Sequence, residues 1–334
     1  MKKHIYIYSP SGAVRDKAAF RRGVKRLQAL GHEVEVDEAA LSSFQRFAGD
    51  DATRLAAIQR AAASGADVAM ISRGGYGLTR ILGHIPYKAV AKAIERGTKF
   101  VGLSDFTAFQ LAVLARTGSP TWAGPSLCEG FGMNDQADGA DGHGHGDEGR
   151  PDEIMEACFD DMIQDQGEGT GWRQPRESLP TAMNNEAFHA RRMGDEASFA
   201  IKDGVLWGGN LAVLCALVGT PYCPQIQGGI LFLEDVAEHP YRIERMLSQL
   251  LHAGVLARQK AIVLGQFTEF KLVPHDKGFK LRSVVNWLRS QLKVPVLTNL
   301  PFGHVPTKVL LPVGAKTDLV VQGRDVLLLW GHQH

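Results

Sequence analysis

The sequence predicts an α/β protein whose first half is a doubly wound parallel sheet, and three observations carry that reading. Apolar strand-like runs alternate with helix-periodic segments through the first hundred residues. Apart from Val34-Glu35-Val36 the runs are mostly apolar instead of alternating, as strands covered on both faces are. Most of them end in Gly- or Ser-containing turns, where such a sheet presents its ligand-binding edge.

In order, a strand over 4–8 passes through Ser9-Pro10-Ser11-Gly12 into a helix over 16–30, which Gly31 closes. Val34 to Val36 is the next strand, and a helix over 51–64 starts near Asp50 or Asp51. A strand over 67–72 reaches the turn Arg73-Gly74-Gly75-Tyr76-Gly77. A helix over 87–96 precedes the strand 98–103, which stops at Ser104. Beyond it, Phe106, Phe109, Leu111, Val113 and Leu114 fall on the inward side of an amphipathic helix.

Organisation weakens from 128 to 205. Residues 134–152 are rich in Gly, Asp and His and can build no core, so mobility is expected there. His143 and His145 lie in this stretch, but ordering such a chain around a metal is costly, so no metal site is expected. A short helix over 153–164 and a polar linker over 172–195 follow.

The second half opens on a hairpin around Asp203-Gly204, then Gly208-Gly209-Asn210 and a buried helix over 211–218. An apolar strand over 229–235 ends in Glu234-Asp235, and a helix spans 240–252, which Asp235 or Glu238 would start. A strand over 261–266, a helix over 280–292 and a strand over 295–298 lead to Asn299-Leu300-Pro301-Phe302-Gly303-His304. The domain boundaries read as 1–130, a loop and linker over 131–185, and 186–334.

Composition narrows the function classes. Lys plus Arg number 37 against 36 Asp plus Glu, and no basic stripe is present, so neither nucleic acid nor an anionic membrane surface is an expected partner. The Met1-Lys2-Lys3 start leads into too short an apolar run for a signal peptide, and no run reaches a membrane span. Cys128, Cys158, Cys215 and Cys223 show no metal or disulfide spacing, which places the protein in a reducing cytoplasm.

Three residues carry candidate chemistry. Ser104 sits between a strand end and a helix start, where unpaired N–H groups and the helix dipole favour developing negative charge. Val101-Gly102-Leu103-Ser104-Asp105-Phe106 approaches a G-x-S-x-G nucleophile elbow, with Phe106 in place of the last glycine. A serine there also serves as a plain helix cap. Gly74 and Gly75 let backbone N–H groups approach a ligand, as an oxyanion hole needs, although a tight turn alone would also use them. Their spacing matches neither a dinucleotide fingerprint nor a P-loop. Glu234 ends an apolar strand, and His304 is held on a stiff Pro-Phe-Gly turn, each with an ordinary surface or core role as the alternative. Together they supply the nucleophile, carboxylate and imidazole of a Ser-His-acid triad.

These stretches resemble the LD-carboxypeptidase family of serine peptidases, which includes muramoyl-tetrapeptide carboxypeptidases and microcin C self-immunity peptidases. The resemblance rests on Ser72-Arg73-Gly74-Gly75-Tyr76-Gly77, Gly102-Leu103-Ser104-Asp105, Gly208-Gly209-Asn210-Leu211, Gly219-Thr220-Pro221-Tyr222, Leu231-Phe232-Leu233-Glu234-Asp235 and Phe302-Gly303-His304, in that order. It implies a Rossmann-like peptidase domain followed by a swivelling β/α domain, with a triad of Ser104, His304 and Glu234. It also implies an oxyanion hole from the N–H groups of Gly75 and Asp105, substrate contacts at Arg73, Gly74 and Tyr76, a homodimer, and no metal or organic cofactor. The family's main reaction releases terminal D-alanine from a cell-wall tetrapeptide at an L,D-bond, in cytosolic murein recycling. An immunity-type peptidase cutting aminoacyl-sulfamate conjugates is the second reading, for which Phe131 and Trp172 offer aromatic surfaces. A non-catalytic sugar- or nucleotide-binding module is a third.

Overall fold

The structure, a computed structural model, describes residues 1–133, 151–175 and 198–331. The expectations for His143, His145 and most of the 134–152 segment lie outside these residues, as does residues 176–195 of the expected linker.

The first unit runs β1 (His4–Tyr8), α1 (Lys17–Ala29), β2 (Glu33–Val36), α2 (Asp51–Ala63), β3 (Val68–Ile71), α3 (Leu78–Ile81), α4 (Tyr87–Glu95), β4 (Lys99–Gly102), α5 (Phe106–Thr117) and β5 (Thr121–Ala123). Asp16 caps α1 by accepting from the N–H groups of Ala18 and Ala19, and Asp50 caps α2 through Thr53. The five strands lie parallel in the order β5-β4-β3-β1-β2. That is the doubly wound arrangement expected, and its order reverses between β1 and β3. A ligand crevice belongs beyond the carboxyl ends of those two strands. The turns that leave them are Ser9 to Gly12 and Arg73 to Gly77, joined by the Gly12 N–H donating to the Gly74 carbonyl at 3.2 Å.

Helix α6 (Glu153–Ile163) follows and rests on the first unit, with Glu156 paired to Arg26 and Phe159 against Phe131. The second unit contains β6 (Gly169–Arg173), β7 (Ser198–Asn210), α7 (Leu211–Leu217), β8 (Ile230–Val236), α8 (Pro240–His252), β9 (Ala261–Thr268), α9 (Leu281–Gln291) and β10 (Val296–Leu297). The chain then forms β11 (Leu311–Val313), β12 (Lys316–Gln322) and β13 (Asp325–Leu329). The second sheet has the order β10-β9-β8-β7-β12-β13-β6, parallel through the first four and antiparallel after them. Strand β11 instead pairs antiparallel with β5, so the second half of the chain closes the edge of the first sheet.

Two expectations change. Asp203-Gly204 is not a hairpin turn: β7 runs straight through it, and the pairing with β12 shifts by one residue between Thr317 and Leu319. Asp203 takes up the extra residue at φ 52, with its N–H donating to Asp318, so this is a bulge inside one long strand. Helix α5 is buried on every side from Phe106 to Leu114, not amphipathic. One face lies on the first sheet, and the other receives β7 and α7, with Thr107 Oγ1 accepting from the Asn210 N–H at 3.0 Å. The helix that begins at the serine turn therefore forms the joint between the two sheets.

Candidate active site

Ser104 has φ 64, a left-handed conformation that is uncommon for a non-glycine residue, and here the surroundings favour it. Support comes from both sides. Leu103 is buried behind it, and Gly74 packs so closely in front that a Cβ there would lie 2.6 Å from the Ser104 Cβ. Gly75 has φ 107, again in the region that favours glycine. Among the described residues, the N–H groups of Gly75 and Asp105 donate to no protein acceptor.

The Asp105 side chain is 2% exposed and works beneath this turn. Its Oδ2 accepts from the Ser11 hydroxyl and, at 2.9 Å, from the Leu78 N–H that opens α3. One carboxylate thus ties the nucleophile turn to the turns after β1 and β3. Burial pushes its pKa up, against the lowering effect of those hydrogen bonds.

The second sheet supplies the other candidates. Glu234 lies near the carboxyl end of β8 and is fully buried. His304 Nδ1 donates to Glu234 Oε2 at 2.8 Å. With Nδ1–H committed to the carboxylate, the neutral ring presents Nε2 as an acceptor. Burial pushes the imidazole pKa down, the Glu234 hydrogen bond and charge push it up, Glu129 and Asp235 add to the rise, and the net shift is upward. Gly303, at φ 140, brings the chain past the carboxylate, and a Cβ there would stand 3.2 Å from Glu234 Oε2. The His304 hydrogen bonds go to Glu234 and, through its carbonyl, from Thr268; Ser104 is not among the partners.

Asn210, whose place in this network the sequence reading did not assign, joins these parts. Its amide donates to Glu234 Oε1 at 3.3 Å and Asp235 Oδ1 at 2.9 Å, and its carbonyl oxygen caps α7 by accepting from the Val213 N–H. Its backbone N–H meets Thr107, three residues beyond Ser104. An Asn directly before an apolar helix is a readable N-cap signal, but the contact with Thr107 has no local sequence signature. Asp235 does not start α8 either, since His239 caps that helix. Asp235 Oδ2 instead accepts from the Ala212 N–H in the first turn of α7, and burial together with the Glu234 charge raises its pKa to about 6.

Of the remaining candidates, Tyr76 stands 44% exposed beside the glycine turn, with Arg46 over its ring. Arg73 lies against the same turn and reaches toward Glu129. Phe131 and Trp172 offer no aromatic surface: Phe131 is packed against Phe159, and the Trp172 indole is buried with its N–H on the Thr298 carbonyl. No group of metal-ligating side chains occurs among the described residues, and none of their helices is long and apolar enough to cross a membrane.

A left-handed serine at a strand-helix junction of the first sheet and a carboxylate-held histidine from the second supply the residue types that an acyl-transfer enzyme uses. Comparison with known proteins gives the family. The profile described as the LD-carboxypeptidase N-terminal domain matches residues 5–124, and that of the C-terminal domain matches residues 203–319. The muramoyltetrapeptide carboxypeptidase of Oxalobacter formigenes is 35% identical in its crystal structure, with a TM-score of 0.78 and 98% of each chain covered. A probable murein peptide carboxypeptidase of Bacillus subtilis is 27% identical over 88% of this chain and 81% of its own. The microcin C7 self-immunity protein of Escherichia coli is 25% identical over 77% of this chain and 72% of its own. The chain belongs to the LD-carboxypeptidase family of peptidases.

Proposed function

We propose that the protein is a serine carboxypeptidase that releases terminal D-alanine from muramoyl tetrapeptides by cutting the L,D-bond, in the cytoplasm, as a step of murein recycling. The observation that carries this is the 2.8 Å Glu234–His304 pair supplied by the second sheet, together with the left-handed Ser104 at a strand end of the first. The Oxalobacter formigenes relative supports the substrate class.

In this mechanism His304 Nε2 takes the Ser104 proton as Oγ attacks the carbonyl carbon of the scissile amide. The N–H groups of Gly75 and Asp105 stabilise the oxyanion. Collapse of the tetrahedral intermediate breaks the C–N bond, and the imidazolium gives its proton to the departing D-alanine amine. Water, deprotonated by the same imidazole, then attacks the acyl-enzyme; collapse frees the tripeptide carboxylate and returns the proton to Ser104. Glu234 holds the ring in the required tautomer and stabilises its cationic form. The family points to a homodimer, for which light scattering should give twice the chain mass.

Burial of Phe131 and Trp172 removes the aromatics that favoured a nucleotide-like conjugate. Release of D-alanine from the L,D-tetrapeptide, with no release from a peptide whose last bond is L-to-L, is the expected result. Cleavage of the L-to-L peptide alone, or of an aminoacyl-sulfamate conjugate alone, would overturn the assignment.

A further inference from the structure

Resting on the carboxypeptidase reading, we propose that Arg73 anchors the terminal carboxylate of the peptide, and that Glu129 is the protein carboxylate exchanged for it. Arg73 leaves β3 at the point where the strand order reverses. Its side chain is only 16% exposed. Yet among the described residues its guanidinium makes one hydrogen bond, from Nη1 to the Ala13 carbonyl at 3.3 Å. Nη2 stands 3.7 Å from Glu129 Oε1, an ion pair too long for a hydrogen bond. A guanidinium carries five N–H donors, and none of those that Arg73 leaves unfilled is among the fully buried atoms without a partner, so they open on solvent-accessible space that a ligand can reach.

Two other arginines of the same unit differ. Arg54 donates from its terminal nitrogens to the Pro10 and Gly77 carbonyls and to Asp51. Arg60 forms a two-pronged pair with Asp37 at 2.7 and 2.9 Å. Those two are committed to the fold, whereas Arg73 keeps the planar fork that matches a carboxylate.

Its location fits the leaving group. The guanidinium lies on the backbone of both turns at the crevice: a Cβ on Gly12 would come within 2.8 Å of Nη1, and one on Gly75 within 3.1 Å. Gly75 is the proposed oxyanion donor, so the cation stands beside the polarised carbonyl. Glu129, which faces Arg73, also acts electrostatically on His304, the group that protonates the departing amine. The carboxylate of a C-terminal residue is separated from that amine by a single carbon, so its anchor has to lie near both. Lys308, the other cation by Glu129, donates to the Glu129 and Pro306 carbonyls and so fastens the segment after His304. Of these two cations, Arg73 is the one with donors to spare.

The test compares a free-acid L,D-tetrapeptide with its C-terminal carboxamide, using wild type, Arg73→Lys, Arg73→Gln and Glu129→Gln. Wild type should prefer the acid by about 100-fold in kcat/KM, mostly through KM, as loss of a charge-assisted pair predicts. Arg73→Gln should lose that factor on the acid and change little on the carboxamide, with Arg73→Lys between. Glu129→Gln should lower KM for the acid a few-fold. Serine-directed phosphonate labelling of Ser104 should persist in Arg73→Gln, showing an intact fold and nucleophile. Undiminished preference for the acid in Arg73→Gln overturns the anchor alone. Turnover of neither peptide by wild type overturns the carboxypeptidase reading and the anchor with it.

Discussion

Two buried carboxylates, Asp105 under the nucleophile and Glu234 behind the histidine, occupy matching places in the two sheets but hold different partners. Asp105 accepts from neutral donors, the Ser11 hydroxyl and the Leu78 N–H, and ties three turns of one sheet together. Glu234 accepts from an imidazole that, in the proposed mechanism, gains a proton, so its charge would contribute most when His304 is cationic. The first carboxylate positions groups, and the second changes a proton affinity. Mutational kinetics separate the two roles.

Ser104→Ala and His304→Ala should each lower kcat by about 10³-fold or more, as loss of a nucleophile or its base does. Glu234→Gln should follow, with a loss of about 10²- to 10⁴-fold. It carries a second signature, worked out from the sign of the histidine shift. Glu234 raises the His304 pKa, and the base works only when neutral, so wild-type kcat/KM should rise with pH through a value above that of an ordinary histidine. Removing the charge moves that acidic limb to lower pH. Asp105→Asn should cost less, about 10- to 100-fold in kcat, because it loosens the spacing of the oxyanion donors. Its acidic limb should stay where wild type has it. Asp105→Ala should likewise retain more activity than Ser104→Ala, although the side-chain tether makes it costlier than a purely backbone role for Asp105 would allow. Equal losses in those two variants, both folded, would show that the Asp105 carboxyl takes part in the chemistry. Asp235→Asn should have the smallest effect, a few-fold, since the amide oxygen can still accept from the Ala212 N–H while the bond from the Asn210 amide is lost.

The same contrast explains what was legible in the sequence. The first sheet is written locally: apolar runs, Asp caps and glycine turns recur at short range, and β1 to β4 fall where those signals put them. Ser104, Gly74 and Gly75 were readable because a strand-turn-helix junction is a local event. The sequence marks Asp105 only through its N–H at the helix start, because its side-chain partners Ser11 and Leu78 lie 94 and 27 residues away. Glu234 and His304, 70 residues apart, are grouped in the sequence by their strand-end positions and chemistry and by the family motifs, since no periodicity brings β8 and the turn after β10 together. The entry of β11 into the first sheet and the burial of α5 on both faces are tertiary events. An amphipathic pattern cannot announce a helix covered by two sheets.

The central claim is that His304, held by Glu234, activates Ser104. Intact-mass measurement after treatment with a serine-directed phosphonate tests it directly, with peptide mapping to locate the adduct. The account predicts one adduct on Ser104 in the wild type and none in a folded His304→Ala variant. Equal labelling of both proteins, or an adduct on another residue, would contradict it.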